Sequence, residues 1–173
     1  MASLTRLQLC QRLARECGIP GGVPTTTVAQ TGESGRIVDW IDEAWNDIQI
    51  AHEDWGWMRT SASWVTVDGT SNYPLGTGAG TVGVSVATFG KWDVETFRNY
   101  PTAAGNTTEI FMDCMWYDSW RDTYLFGGGR DTRSRPTSFA VGPDKAINLG
   151  LVPAVGYTMT EDYFTAPLAM TAE

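Results

Sequence analysis

Residues 33–55 are the one long segment whose apolar residues recur at helical spacing, and the rest of the chain has to fold around it. Ile37, Val38, Ile41, Trp45, Ile48, His52 and Trp55 fall at i, i+3/i+4, i+7 steps and make one stripe. Asp39, Asp42, Glu43, Asn46, Asp47 and Glu53 spread over the other faces, so the pattern is that of an amphipathic helix with one side for a core. Trp40, Ala44 and Ala51 form a second, smaller apolar set off that stripe and among carboxylates, which is what a helix touching two different neighbours needs. Thr31 stands where the N-cap belongs. His52, the single histidine, lies on the stripe and reads as a packing residue.

A partner for this helix precedes it. Thr5 followed by Gln8 is a capping box, with Leu4 and Leu9 placed as a hydrophobic staple, and the spacing predicts a helix to about Glu16. Its stripe is Leu7, Cys10, Leu13, Ala14 and Cys17, and Gly18 with Pro20 ends it. Cys10 and Cys17 are about 10 Å apart along one helix, too far for a disulfide, and read as buried small apolar residues. Residues 21–31, rich in Gly, Pro and Thr, form a connection, and the two helices pair as a hairpin.

After Gly56 the period falls from 3.6 to 2. Residues 61–67 alternate and are β-branched, with Asp68-Gly69 as a turn; shorter extended pieces follow at 72–75, 80–89 and 92–97, and a strand at 109–115. Asp118 is placed to cap a short helix over 119–126 that puts Trp120 and Tyr124 on one side and stops at Gly127. The last third predicts a three-stranded antiparallel meander: 137–141, a turn at 142–145, 146–149 and 157–164. The fold class is therefore α+β, an N-terminal helical hairpin or bundle over 1–60 followed by an antiparallel β-rich part over 61–173 with one short inserted helix.

Composition and motifs exclude several functions. The net charge is −8 with only 12 Lys and Arg among 173 residues, so no basic face is available to neutralise a phosphate backbone, and sequence-specific DNA binding is not expected. No apolar run reaches the ~20 residues of a membrane span, and no signal-peptide core is present. A single histidine and no C-x-x-C leave a structural zinc site almost no ligands and a catalytic triad no alternative imidazole. Gly78 to Gly83 spells G-x-G-x-x-G, but an extended Val-rich segment follows where a phosphate-binding turn needs a helix. Asp113, Asp118 and Asp122 beside Trp116 and Trp120 resemble a glycan site in composition, yet caps and solvated faces account for them. No catalytic, metal or cofactor residue is assigned, and no cofactor is expected. Arg121, Arg130, Arg133 and Arg135 are the one local basic excess, on a Gly-rich loop suited to docking on an acidic neighbour.

Five stretches taken together resemble the head-to-tail adaptor, or connector, proteins of tailed bacteriophages. They are residues 7–19 (Leu-Gln-Leu-Cys-Gln-Arg-Leu-Ala-Arg-Glu-Cys-Gly-Ile), 38–49 (Val-Asp-Trp-Ile-Asp-Glu-Ala-Trp-Asn-Asp-Ile-Gln), 92–98 (Trp-Asp-Val-Glu-Thr-Phe-Arg), 117–124 (Tyr-Asp-Ser-Trp-Arg-Asp-Thr-Tyr) and 135–139 (Arg-Pro-Thr-Ser-Phe). The resemblance implies a structural virion protein and no enzyme, assembled in the host cytoplasm and located in the neck at the portal vertex. It implies a ring of about twelve copies below the portal, binding the portal on one side and a tail or neck protein on the other, with genomic DNA passing through the lumen unbound. It also implies helical sequence after the final strand, whereas the residues here run to Glu173. Trp40 and Ala44, and with them Arg121, Arg130, Arg133 and Arg135, are the expected subunit or partner contacts. The alternative from the residues alone is a carbohydrate-binding or tail-fibre-type β module using exposed Trp residues, with Trp116 and Trp120 as its platform; a hydrolase on the three aspartates is a third.

Overall fold

The computed structural model describes residues 4–19, 23–52, 54–76 and 83–170. The chain forms two compact units, one of Met1–Trp55 with Pro167–Glu173 and one of Gly56–Ala166.

In the helical unit α1 spans Arg6–Glu16. The Thr5 side chain accepts from the Gln8 amide at 3.2 Å and the Gln8 side chain accepts from the Thr5 amide at 3.0 Å, so two orphan donors of the first turn satisfy each other's residues as the sequence predicts. Gly18 leaves the helix at φ +60, which lets the Ile19 amide donate back to the Ala14 carbonyl while Ile19 packs on the core. Helix α2 spans Gly32–Ala51. Thr31 occupies its N-cap position, but the Thr31 side chain makes no capping bond.

The helix is shorter than its apolar pattern. His52 is already extended, at φ −141, so His52 and Trp55 are not on the stripe. The Trp55 indole instead donates to the Ile48 carbonyl at 2.8 Å, supplying a last-turn acceptor with the partner it lacks inside the helix. His52 is exposed, with its ring edge-on to Trp55 at 4.9 Å, and is no core residue. Cys10, Ala14, Ile37 and Val38 form the buried centre, with Leu13, Ile19 and Ile41 around it. Arg6 grips Asp42 through both carboxylate oxygens and joins the two helices over that core. Cys10 is buried as expected, but Cys17 is exposed.

The far end of α2 is covered by the returning C-terminal segment. Gln49, 2% exposed, accepts from the Leu168 amide at 2.9 Å and donates to the Leu168 carbonyl at 3.0 Å, and Trp45 donates to the same carbonyl at 2.9 Å. The carboxamide thus bonds both backbone groups of one residue, as a neighbouring antiparallel strand would. Gln49→Ala is expected to cost about 1 to 3 kcal/mol in urea unfolding, because a buried donor and acceptor lose their partner. The same variant should expose the chain after residue 166 to limited proteolysis; cleavage unchanged from wild type would show that Gln49 does not hold the segment.

The second unit has two four-stranded sheets. The first runs β1 (Arg59–Val65), β10 (Tyr157–Thr165), β3 (Phe89–Pro101) and β4 (Ile110–Phe111), all antiparallel. The second runs β2 (Asn72–Tyr73), β8 (Ile147–Leu149), β7 (Ser138–Val141) and β5 (Asp113–Cys114). A further pair joins β6 (Arg133–Ser134) to β9 (Val152–Pro153). Both sheets face one core built on Tyr73, Trp92, Phe97, Phe139, Ile147 and Met159, in which Phe97 of one sheet stacks on Phe139 of the other at 4.0 Å.

Three expectations are corrected here. The 137–164 meander does not exist: β7 and β8 form the predicted hairpin through the Gly142–Lys145 turn, but β10 crosses into the other sheet and lies between β1 and β3. Residues 150–156, which include β9 paired to β6, are too long a path for a tight hairpin and carry the chain across. The strand expected over 109–115 is two strands that belong to different sheets, with buried Met112 at the crossing and its amide donating to the Phe97 carbonyl at 2.9 Å. The sheets are also not wholly antiparallel, since β5 pairs β7 and β6 pairs β9 in parallel.

Two of the motifs that carry the resemblance acquire structural jobs. In β3 the partner of Asp162 is Asp93 and that of Thr160 is Arg98, so the 92–98 motif is a bulge. Thr96 closes it, its hydroxyl donating to the Asp93 carbonyl at 2.8 Å and accepting from the Asp162 amide at 2.9 Å. In the 135–139 motif the Arg135 guanidinium donates to the Asn99 side-chain oxygen and carbonyl at 2.8 and 2.6 Å and to the Thr108 carbonyl at 2.7 Å, while buried Asn99 donates to the Pro136 carbonyl at 2.7 Å.

Candidate interaction surfaces

On α2 the solvent side has a definite order. Trp40, Ala44 and Ile48 lie at i, i+4, i+8, and Asp39, Glu43 and Asp47 repeat the same interval one residue earlier, so an apolar row about 12 Å long runs beside an acidic row. Trp40 is 47% and Ile48 50% exposed, and Ala44 and all three acids are exposed. Ile48 was expected in the core; it lies instead with Trp40, because Gln49 and Trp45 take the inner side where the C-terminal segment returns. Arg36 sits 5.6 Å over the Trp40 ring and 3.1 Å from Glu33. The helix carries Glu33, Asp39, Asp42, Glu43 and Asp47 against the single basic residue Arg36, and is therefore strongly acidic.

In the second unit the inserted helix is α3, Tyr117–Trp120, which runs on as a π turn over Arg121–Leu125 and ends at Gly127 with φ +76. It begins earlier than expected. Trp116, not Asp118, holds the N-cap position, and no side chain caps it. Trp120 is buried and donates to the Leu149 carbonyl at 2.9 Å, and Tyr124 accepts from the Ser138 hydroxyl at 3.3 Å, so this inner side is committed to β7 and β8. The outer side is apolar: Trp116 is 86% exposed, and Leu125 and Phe126 are exposed as well. Trp116 and Trp120 consequently cannot form a common glycan platform. Asp113, Asp118 and Asp122 are all exposed, and among the described residues no group of three His, Cys, Asp or Glu is placed to hold a metal ion.

The four arginines separate into two kinds. Arg121 and Arg130 are exposed, and Arg130 has Asp131 at 3.8 Å as its one ion-pair partner among the described residues. Arg133 pairs with Asp68 at 2.8 Å, and Arg135 is committed to Asn99 and Thr108 as described. Sequence shows four equal cations; which of them have backbone or carboxylate partners is decided by strands far away in the chain. Trp40 and Ala44 belong to the helical unit and the arginines to the sheet unit.

One buried ionisable group escaped sequence reasoning. Glu161, 2% exposed, sits among Ala62, Trp64, Met159 and Tyr163 of β1 and β10. Its Oε1 accepts from the Trp64 indole at 2.7 Å, and its Oε2 has no partner among the described residues. Burial pushes its pKa up to about 8, the Trp64 bond opposing and the neighbouring Asp162 charge adding. Burial likewise pushes the Tyr73 phenol up to about 12. The signal for Glu161 was present in the strict alternation of β10, which puts position 161 on the same face as Met159 and Tyr163. Residues 77–82, which hold most of the Gly78–Gly83 pattern, lie outside the described residues. No described helix is long and apolar enough to cross a membrane.

No curated protein sequence matches the chain. A family model described as SU10 adaptor protein matches residues 4–173, the helical unit and the sheet unit alike, so the resemblance extends beyond the five motifs to both surfaces. With nearly its whole length inside that match, the chain belongs to the SU10 adaptor protein family, a family of phage head-to-tail adaptors.

Proposed function

We propose that this chain is the subunit of an adaptor ring of about twelve copies that sits below the portal, joins capsid to tail and lets DNA pass through its lumen. The observation that carries the reading is the exposed row Trp40, Ala44 and Ile48 on α2, an apolar strip on a helix whose inner side already has its core. A ring buries such a strip between neighbours, once per subunit. The net charge of −8 suits a channel through which DNA slides without sticking. The portal and a tail or neck protein are the remaining partners, and the neck of the virion is the location the family implies.

The test is the mass of the assembly, in solution and on purified portal, by native mass spectrometry and electron microscopy. Wild type should form a closed oligomer. Trp40→Ala should fold with unchanged helicity but assemble at least ten-fold more weakly, the size of effect expected when a central interface aromatic is truncated. Normal assembly by Trp40→Ala would place the subunit contact elsewhere on the chain.

A further inference from the structure

The exposed apolar row on α2 and the exposed apolar end of α3 are complementary in the charges beside them. Asp39, Glu43 and Asp47 flank the first, and among the described residues none of the three has a hydrogen-bond or ion-pair partner. Arg121 and Arg130 flank the second, on the segment that carries Trp116, Leu125 and Phe126. Asp118 and Asp122 share that helix, so the match is between two guanidinium groups and a row of carboxylates rather than between net charges. Arg is suited to such a contact because its planar fork addresses carboxylates at two points while its face lies on aromatic rings. A π turn puts one more residue into a helical turn and is frequent at functional positions, and here it carries Arg121.

We propose that the occupant of the α2 row is a second copy of this chain, which docks the outer side of its Tyr117–Leu125 helix there, aromatic residues on Trp40 and Ile48 and Arg121 and Arg130 against the acidic row. This rests on the adaptor-ring reading and deepens it. The two patches are different surfaces, so the contact is heterologous: each copy offers one patch to each of two neighbours, and such a contact generates a ring when its rotation closes. It also gives a use to the two exposed guanidiniums, Arg121 and Arg130, that an acidic chain keeps on the segment of its exposed Trp116.

The experiment reverses each side separately. One variant carries Asp39→Lys, Glu43→Lys and Asp47→Lys; another carries Arg121→Glu and Arg130→Glu; all these positions are exposed, and Asp42 is left alone because it holds Arg6. Each variant alone should remain monomeric at concentrations where wild type is closed, with melting unchanged. Mixed in equal amounts they should co-assemble into a closed oligomer of alternating subunits, since the native pair forms at one contact and the reversed pair at the next. Both sets in one chain should restore the closed oligomer. Rings formed by either variant alone, or a mixture that stays monomeric, would overturn the interface while leaving the adaptor-ring reading in place. Arginine variants that assemble normally but fail to recruit the tail component would assign the α3 end to that partner and overturn the interface too. A wild type with no closed oligomer, free or on the portal, would overturn both.

Discussion

Phe97→Ala is expected to lose about 3 to 5 kcal/mol of folding stability, the range for removing a large buried aromatic side chain. Phe97 is fully buried, edge-on to Trp92 at 5.7 Å and stacked on Phe139 at 4.0 Å, so its ring is the contact through which one sheet holds the other. Two effects add. The transfer energy of the ring is lost, and the cavity cannot collapse, because its walls belong to β3 and β7 and each is tied into its own sheet. Phe139→Ala should cost a similar amount, and the double variant should cost less than the sum, since the second truncation enlarges a cavity already made. Chemical unfolding followed by tryptophan fluorescence measures this; a loss below about 1 kcal/mol would mean that the two sheets do not depend on this stack.

Glu161 should make stability fall as pH rises through the neutral range. Its carboxyl has a folded-state pKa of about 8 against an ordinary value of 4.5, so the native state holds the proton more tightly than the unfolded chain. The contribution is fully present below pH 4.5, where both states are protonated. It is lost progressively between pH 4.5 and 8, at up to about 1.4 kcal/mol per pH unit, for a total on the order of 5 kcal/mol. Above pH 8 the native state must keep a carboxylate among Trp64, Met159 and Tyr163 with one oxygen unpartnered, and no further loss from this group follows. Glu161→Gln keeps an acceptor for the Trp64 indole and cannot ionise. It should flatten the profile between pH 5 and 8 and exceed wild type in stability at pH 8.5. Parallel stability-pH profiles for the two proteins would show that Glu161 does not titrate in that window.

The candidate surfaces were legible in different degrees. Helical arithmetic places Trp40 about 60° and Ala44 about 20° round the axis from Ile37, at the edge of the Ile37, Val38 and Ile41 side, and it is the packing of α2 on its core that leaves both exposed. The same arithmetic put Ile48 inward and was wrong, since the inner side at that level is covered by Leu168, more than a hundred residues away, which selects Gln49 and Trp45 to meet its peptide. Trp116 and Trp120 are one helical turn apart, and yet one is 86% exposed and the other buried; only the position of β8, whose Leu149 carbonyl takes the Trp120 indole, distinguishes them.

What the chain settles locally is what depends on neighbours in sequence. The Thr5–Gln8 capping box, the end of α1 at Gly18, the amphipathic run of α2 and the Gly142–Lys145 hairpin are each decided within a few residues by backbone dihedrals and short-range hydrogen bonds. What only the tertiary structure decided is where each apolar face goes. Period-2 alternation says that Met159, Glu161 and Tyr163 share a side, and it is silent on which sheet receives them. The placement of β10 between β1 and β3, the division of 109–115 between two sheets, the burial of Glu161 and the engagement of Arg135 by Asn99 and Thr108 all follow from contacts between residues far apart in the chain, where burial outweighs any local preference.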